Sequence, residues 1–381
     1  MAELQLKNNL KIIVTIIVVI GFMGILINTT QFAQDFFTKK DTQKTEDNKT
    51  NTNSVSYIEK IDNFEMQEFD DDQQIKQYIE AKTYHKYNNS PAVLLTPRVT
   101  IYNQDQSVDY LLNSERANIL DNGDIKFIGK VDIKSQSGFG HNLRTEELLA
   151  ESGTNNLVSN TEVNYYSDRA EMRADSGMHM DTKKDKMNLL GKTEIILDKS
   201  KIINTKNLVI DKSEGKELYS SKFATTYTDN SDKFSSDSID IDMIADIFHL
   251  NGKVKILHGS DLTINTNNLV LDQSNDKERY YSKHDTEYLT GNNKVYSEAI
   301  ESDMKTKISH LYGKVTLLQN SGSKIQTSDL VVDSSDGKEV YKTDKKVHYR
   351  LGASNMNAVG MYYDAINQLI NLTGGVTGRY E

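Results

Sequence analysis

The chain has 381 residues, 37% of them hydrophobic, and a formal net charge of −10. It has no cysteine, which excludes disulfides, thiol catalysis and a lipidated cysteine anchor. An acidic chain without a basic block is poorly suited to nucleic acid as a partner, and the modest apolar share suits a thin body better than one thick core.

Residues 12–27 are apolar apart from Thr15 and carry no charge. With Leu10 and the residues that follow, they approach the ~20 that a bilayer requires. This predicts a transmembrane helix over 12–30, preceded by a short cytoplasmic N-terminus at 1–11 that holds Lys7 and Lys11. A cleavable signal peptide is the competing reading, but Gln31-Phe32-Ala33 makes a poor cleavage site. Residues 31–63 read as a flexible linker, polar and rich in Asn, Thr and Lys over 38–56. The rest of the chain is expected to be translocated, with the N-terminus left inside.

Beyond the linker a short phrase returns at a nearly constant interval. Its glycines are Gly129, Gly191, Gly252, Gly313 and Gly374, separated by steps of 62, 61, 61 and 61. The phrase reads Phe-Ile-Gly-Lys-Val-Asp-Ile at 127–133 and Leu-Tyr-Gly-Lys-Val-Thr-Leu at 311–317. So regular a period implies one supersecondary unit stacked on copies of itself. Within the unit at 250–310, Leu250, Gly252, Val254 and Ile256 alternate with Asn251, Lys253 and Lys255, the pattern of a half-buried strand. Turn residues at Gly259-Ser260, Asn275-Asp276 and Gly291-Asn292-Asn293 divide the unit into about four strand-sized segments.

Other columns recur at steps of 60 or 61. They include Leu143, Ile203, Ile264 and Ile325; Tyr166, Tyr227, Tyr288 and Tyr349; and Asp181, Asp242, Asp303 and Asp364. No segment after the first thirty residues has a helical apolar stripe. The fold class is therefore all-β: an elongated two-sheet β-jellyroll of ~61-residue repeats behind one N-terminal transmembrane α-helix. With strands ~4.8 Å apart and shared between two sheets, five units would extend ~50 Å. Splayed sheets would leave a continuous apolar groove, and the end strands would offer unpaired edges.

Three stretches resemble a known family. Phe64-Glu65-Met66-Gln67-Glu68-Phe69 with the return Gln77-Tyr78-Ile79-Glu80-Ala81 looks like its first hairpin, although Asp71-Asp72-Gln73-Gln74 stands where that turn usually has glycine. Leu95-Thr96-Pro97-Arg98-Val99-Thr100-Ile101-Tyr102 with Ser114-Glu115-Arg116-Ala117 resembles its next pair. Leu143-Arg144-Thr145-Glu146-Glu147-Leu148, Ser176-Gly177-Met178 and Leu189-Leu190-Gly191 resemble its C-terminal half. Residues 64–197 thus resemble the lipopolysaccharide-export protein family LptC, and 198–381 resemble additional OstA/LptA-type β repeats.

The resemblance implies a non-catalytic β-jellyroll in the periplasm, anchored to the inner membrane. It also implies three partners: lipopolysaccharide, the permease subunits of the inner-membrane lipopolysaccharide ABC transporter, and a periplasmic LptA-like bridge protein. No cofactor is expected.

The candidate lipid-groove residues flank the repeated glycines: Phe127, Val131, Leu189, Leu250, Val254, Leu311 and Val315. Acyl chains need apolar area, worth ~25 cal/mol per Å² buried, and no directional groups. Each of these residues also reads as ordinary sandwich core. The glycines read as bulges or close approaches between strands. The Asp column reads as structural, since no calcium-loop spacing surrounds it. His249 and His310 share one column and show no metal-ligand spacing, so no metal is expected. No nucleophile elbow, phosphate loop or dinucleotide fingerprint is present, and no catalytic residue is assigned. The alternative to a lipid conduit is an anchored, adhesin-like β stalk with a closed, dry core.

Overall fold

The computed structural model describes residues 57–379 except 70–72, 103–104, 137–141, 153, 155, 182–183, 185, 199–200 and 292. The expected transmembrane span at 12–30 lies outside the described residues. Among those described, thirty strands and three short 3₁₀ turns are present and there is no α-helix, in line with the all-β expectation. The first strand, Tyr57–Phe69, starts inside the stretch expected to be linker. Its pairing with Ile75–Tyr87 sets Ile61 opposite Tyr84, Phe64 opposite Ala81 and Met66 opposite Ile79, apolar contacts that a polar composition hides. Two compact units are present, Met1–Ile195 with Asp211–Gly215, and Ile196–Ile210 with Lys216–Glu381.

In the second unit the architecture follows from one long hairpin. Ile247–His258 pairs antiparallel with Leu262–Asp272, and the register shifts between Leu250 and Lys253. The next two passes are each broken in two. Arg279–Ser282 pairs with the C-terminal half of Leu262–Asp272, and Thr286–Leu289 with its N-terminal half. Asn293–Ser297 and Ala299–Asp303 continue outward from those two pieces. They then rejoin on the next long strand, Ile308–Gln319.

A hydrogen-bonded sheet is thereby creased into two walls. The first wall holds 253–258, 262–267, 286–289 and 293–297; the second holds 247–250, 269–272, 279–282 and 299–303. Rings meet across the fold, Tyr227 with Phe248 at 5.5 Å and Phe234 with Tyr280 at 6.0 Å between centroids. The same layout recurs at Ile125–Ser135 with Asn142–Ala150 in the first unit, and at Ile308–Gln319 with Lys324–Asp333 in the second. Four segments were expected per unit, and the third and fourth are each interrupted at the crease. The passes Val340–Leu351 and Ser354–Asp364 are the exceptions and run through unbroken.

The repeated glycine makes the crease. Gly129, Gly191, Gly252 and Gly313 have φ of +79°, +77°, +78° and +76°, a left-handed conformation that costs a residue with a Cβ about 1–2 kcal/mol. Space is a second reason. A Cβ at these positions would overlap the side chains of Glu115, Asp175 (with Ser176), Asp237 and Glu298. Two of these carboxylates hold the bulge itself: Lys192 N–H donates to Asp175 at 2.9 Å, and Lys253 N–H to Asp237 at 2.9 Å. Gly374 differs, meeting the Val359 carbonyl just past the strand Leu369–Leu372.

The apolar columns form the interior. Ile203, Ile264, Ile325, Leu208, Leu269 and Leu330 are all buried. One expected column needs correction. Tyr165, not Tyr166, pairs with Leu143 as Tyr227 pairs with Ile203 and Tyr288 with Ile264. Tyr165 is buried, while Tyr166 lies under the Arg144 guanidinium, 5.5 Å from its ring centre. The step here is one residue longer than the repeat, and one residue reverses the face of a strand.

Candidate functional site

The seven residues flanking the glycines lie at the bottom of the fold, beside the crease. Phe127 sits between Ala117 and Leu148, Val131 faces Thr145, and Leu189 faces Met178 in the first unit. Leu250 sits between Ile239 and Leu269, Leu311 between Ile300 and Leu330, Val254 faces Thr266 and Val315 faces Thr327 in the second. All seven are between 0% and 4% exposed. The walls therefore do not splay around them; side chains from both walls fill the space where an open groove was expected.

The threonines opposite the valines belong to a feature that sequence reasoning missed. At each crease a buried hydroxyl cluster joins the interrupted passes to the long strand. Thr145 bonds Ser159 and Thr161 at 2.8 Å each; Thr205 bonds Ser221 and Thr225 at 2.8 Å each. Thr266 bonds Ser282 at 2.9 Å and Thr286 at 3.1 Å. Hydroxyls bonded to one another satisfy groups that would otherwise be costly to bury. The signal was available: Thr145, Thr205, Thr266 and Thr327 recur at steps of 60, 61 and 61.

The side opposite the crease is the mouth, where each wall ends in its own turns and, among the described residues, no strand pairing joins them. Polar side chains meet there instead. Lys212 Nζ donates to Tyr165 Oη at 2.9 Å in the first unit. In the second, Gln273 Nε2 donates to Tyr227 Oη at 3.0 Å, and Tyr288 Oη lies 3.4 Å from Ser334 Oγ. Burial pushes the Tyr288 hydroxyl up to about 12, so it stays protonated and neutral. Glu339 adds a further bridge, accepting from Thr290 and from Asn293 at 2.8 Å each.

The outer surface carries a separate feature. A trough of about 800 Å³ lies on the outer face of the first wall in the second unit, lined by Lys253, Lys255, Asn265, Glu287, Tyr296 and Lys314 among others. Val254, Thr266 and Thr286 of the crease also line it.

The Asp column has a local role. Asp181, Asp242, Asp303 and Asp364 each accept from backbone N–H groups two or three residues on, at 2.8–3.1 Å, closing the turns at the strand ends. A second Asp column, Asp211, Asp272 and Asp333, went unread. Each caps a 3₁₀ turn through the serine two residues on. Those bonds, with Lys186 at Asp211 and Arg279 at Asp272, hold both of these carboxyls down at about 2. Among the described residues no group of three or more acidic or histidine side chains is placed to hold a metal. No described helix is long and apolar enough to cross a membrane.

The family model for lipopolysaccharide-assembly, LptC-related proteins matches residues 13–198 and again 298–381, together more than half of the chain. The chain belongs to the LptC-related family. Family membership gives it a role in lipopolysaccharide transport and makes it a transport component. No curated protein matches it. The stretch 199–297 lies between the matched segments, and its hairpin at Ile247–Asp272 carries the same register shift as the matched hairpins at 125–150 and 308–333. In this LptC-related chain the creased sheet therefore continues through the unmatched stretch.

Proposed function

We propose that this LptC-related chain is a membrane-anchored lipid conduit. It receives lipopolysaccharide from the permease subunits of the inner-membrane ABC transporter and hands it to a periplasmic LptA-like bridge. The helix at 12–30 anchors it with the N-terminus cytoplasmic, and the strands work in the periplasm. Acyl chains pass between the walls, and the units beyond residue 197 lengthen the path.

The observation that carries this reading is the run of apolar columns between two walls that only side chains hold together at the mouth. In the second unit Ile203, Ile264 and Ile325 recur once in each repeat, as do Leu208, Leu269 and Leu330, and all are buried. Acyl chains gain ~25 cal/mol per Å² by burial against such surface, and no directional group is needed. The recurrence of the crease through 199–297 supports extending the path beyond the first unit.

Site-specific photocrosslinking from Val254 or Val315 in cells tests it. Lipopolysaccharide adducts that grow with ATP hydrolysis are expected. Adducts confined to positions before residue 197 would remove the extended path.

One observation favours a second reading, a closed β stalk: the interior is already filled, with rings in contact across the walls. That reading gives no adduct at any interior position, and the same experiment separates the two.

A further inference from the structure

The mouth contacts follow the repeat. Lys212, Gln273 and Ser334 each come directly after the second long strand of a hairpin and are 61 residues apart. Their partners Tyr165, Tyr227 and Tyr288 are buried tyrosines of the first wall, 62 and 61 apart. Among the described residues the chain passes from wall to wall at the crease, and the mouth is spanned by side chains: these pairs, the Glu339 bridge, and Lys201 Nζ, which donates to Gln273 Oε1 at 3.3 Å. The crease is built differently, with continuous long strands stitched by buried hydroxyl clusters.

We propose that the tyrosine contacts are latches: the interior of each unit is kept shut, by Tyr165–Lys212 in the first and by Tyr227–Gln273 and Tyr288–Ser334 in the second, and opens at the mouth by releasing them while the hydroxyl-stitched crease holds as the hinge. This rests on the conduit reading for its purpose but not for its mechanics.

Three features fit a latch. Each contact consists of one or two polar side-chain bonds, between neutral groups or with a lysine ammonium, Lys212 at Tyr165 and Lys201 at Gln273. Such bonds have ready replacements in water once exposed, so releasing one is cheap compared with parting strands. The rings stay in the apolar interior in either state, since only the hydroxyl reaches the opposite lip. The partner side chains project from turns, which move more easily than strand centres. A lipid arriving sideways would have to part the latches of a unit, which would close again behind it.

The test uses the full-length chain with Gln273→Ala and Ser334→Ala together. Both side chains are only part-buried, and the bond from Tyr227 to Asp229 is left in place. Hydrogen exchange read by mass spectrometry should rise on the order of tenfold at the lips 273–278 and 334–339, the bonds from Gln273 to Tyr227 and Lys201 and from Ser334 to Tyr288 having been lost. The crease strands around Thr266, Ser282 and Thr286 should keep their wild-type rates. Unchanged lips would overturn the latch, as would a uniform rise over lips and crease, which would mean general destabilisation. Tyr227→Phe with Tyr288→Phe approaches the same bonds from the other side and should act at the same lips.

Uptake of fluorescently labelled lipopolysaccharide then separates the two ideas. Faster uptake by the latch variants supports both. Looser lips with no uptake by variant or wild type leave the latch standing and remove the conduit.

Discussion

Replacing Gly252 by alanine strikes the crease at one point. The residue has φ +78°, so a Cβ adds about 1–2 kcal/mol of backbone strain. It would also overlap the Asp237 carboxylate, which accepts from Lys253 N–H at 2.9 Å. Pushing that carboxylate aside forfeits a charged hydrogen bond, about 1–2 kcal/mol at an exposed position. The sum is about 2–4 kcal/mol. Gly259 is the internal control, because it has φ +58° and nothing lies within 4 Å of an added Cβ. Gly259→Ala should therefore lose the strain alone.

At roughly 2–4 °C per kcal/mol for a unit of this size, Gly252→Ala should melt several degrees below Gly259→Ala. Calorimetry or a chemical denaturation series on the full chain reads the difference, and hydrogen exchange assigns it to the second unit. In an Asp237→Gly background, which removes the Cβ as well as the carboxylate from the overlap, the excess cost of Gly252→Ala should vanish. If the two glycine variants lose the same stability, or if the excess survives without Asp237, the close approach of the carboxylate is not what demands glycine here.

Other outcomes follow from the same geometry. Leu311, fully buried between Ile300 and Leu330, should cost about 2–5 kcal/mol as Leu311→Ala, seen as a lower denaturation midpoint with an unchanged slope. Thr266→Val keeps the shape but removes one partner from Ser282 and Thr286, which keep their bonds to the Asn267 and His284 carbonyls, so about 0.5–1.5 kcal/mol should be lost and exchange should quicken at the crease before the lips. Asp211 and Asp272 titrate near 2 in the folded chain against an ordinary carboxyl of 3.8. A lowered folded value means that their stabilisation is complete above about pH 4 and drains away as pH falls toward 2. The melting temperature should drop across that window, and Asp272→Asn should be less stable at neutral pH and show a shallower acid slope.

Much of the interior was legible because its signals are local. Leu250, Val254 and Ile256 alternate with charged or amide neighbours, and that alternation alone commits them to one face of a strand. The candidate lipid residues were likewise marked as inward-facing, which they are. Their depth was not legible. A position two residues from a left-handed glycine lies at the crease, and nothing in the local pattern distinguishes a crease from a bulge in a flat sheet. The hydroxyl clusters were overlooked because threonine and serine at period two also suit a solvated face, and only the other wall shows that the face is covered. The tyrosine column slipped at Tyr166 because a fixed step cannot register one extra residue in a turn, whereas pairing with Leu143 can.

The residues by themselves determined that this is an all-β chain, where its long strands begin and turn, and that one glycine per unit sits where a side chain is not tolerated. These follow from backbone freedom and from alternation over a few positions. The tertiary structure alone decided that the sheet folds over at those glycines, that the third and fourth passes break there, and that tyrosines meet polar side chains of a turn 46 or 47 residues further on. Those contacts depend on where one wall comes to rest against the other. The packing of Tyr227 on Phe248 and of Phe234 on Tyr280 sets that, and it is a property of two folded surfaces and not of any stretch of chain.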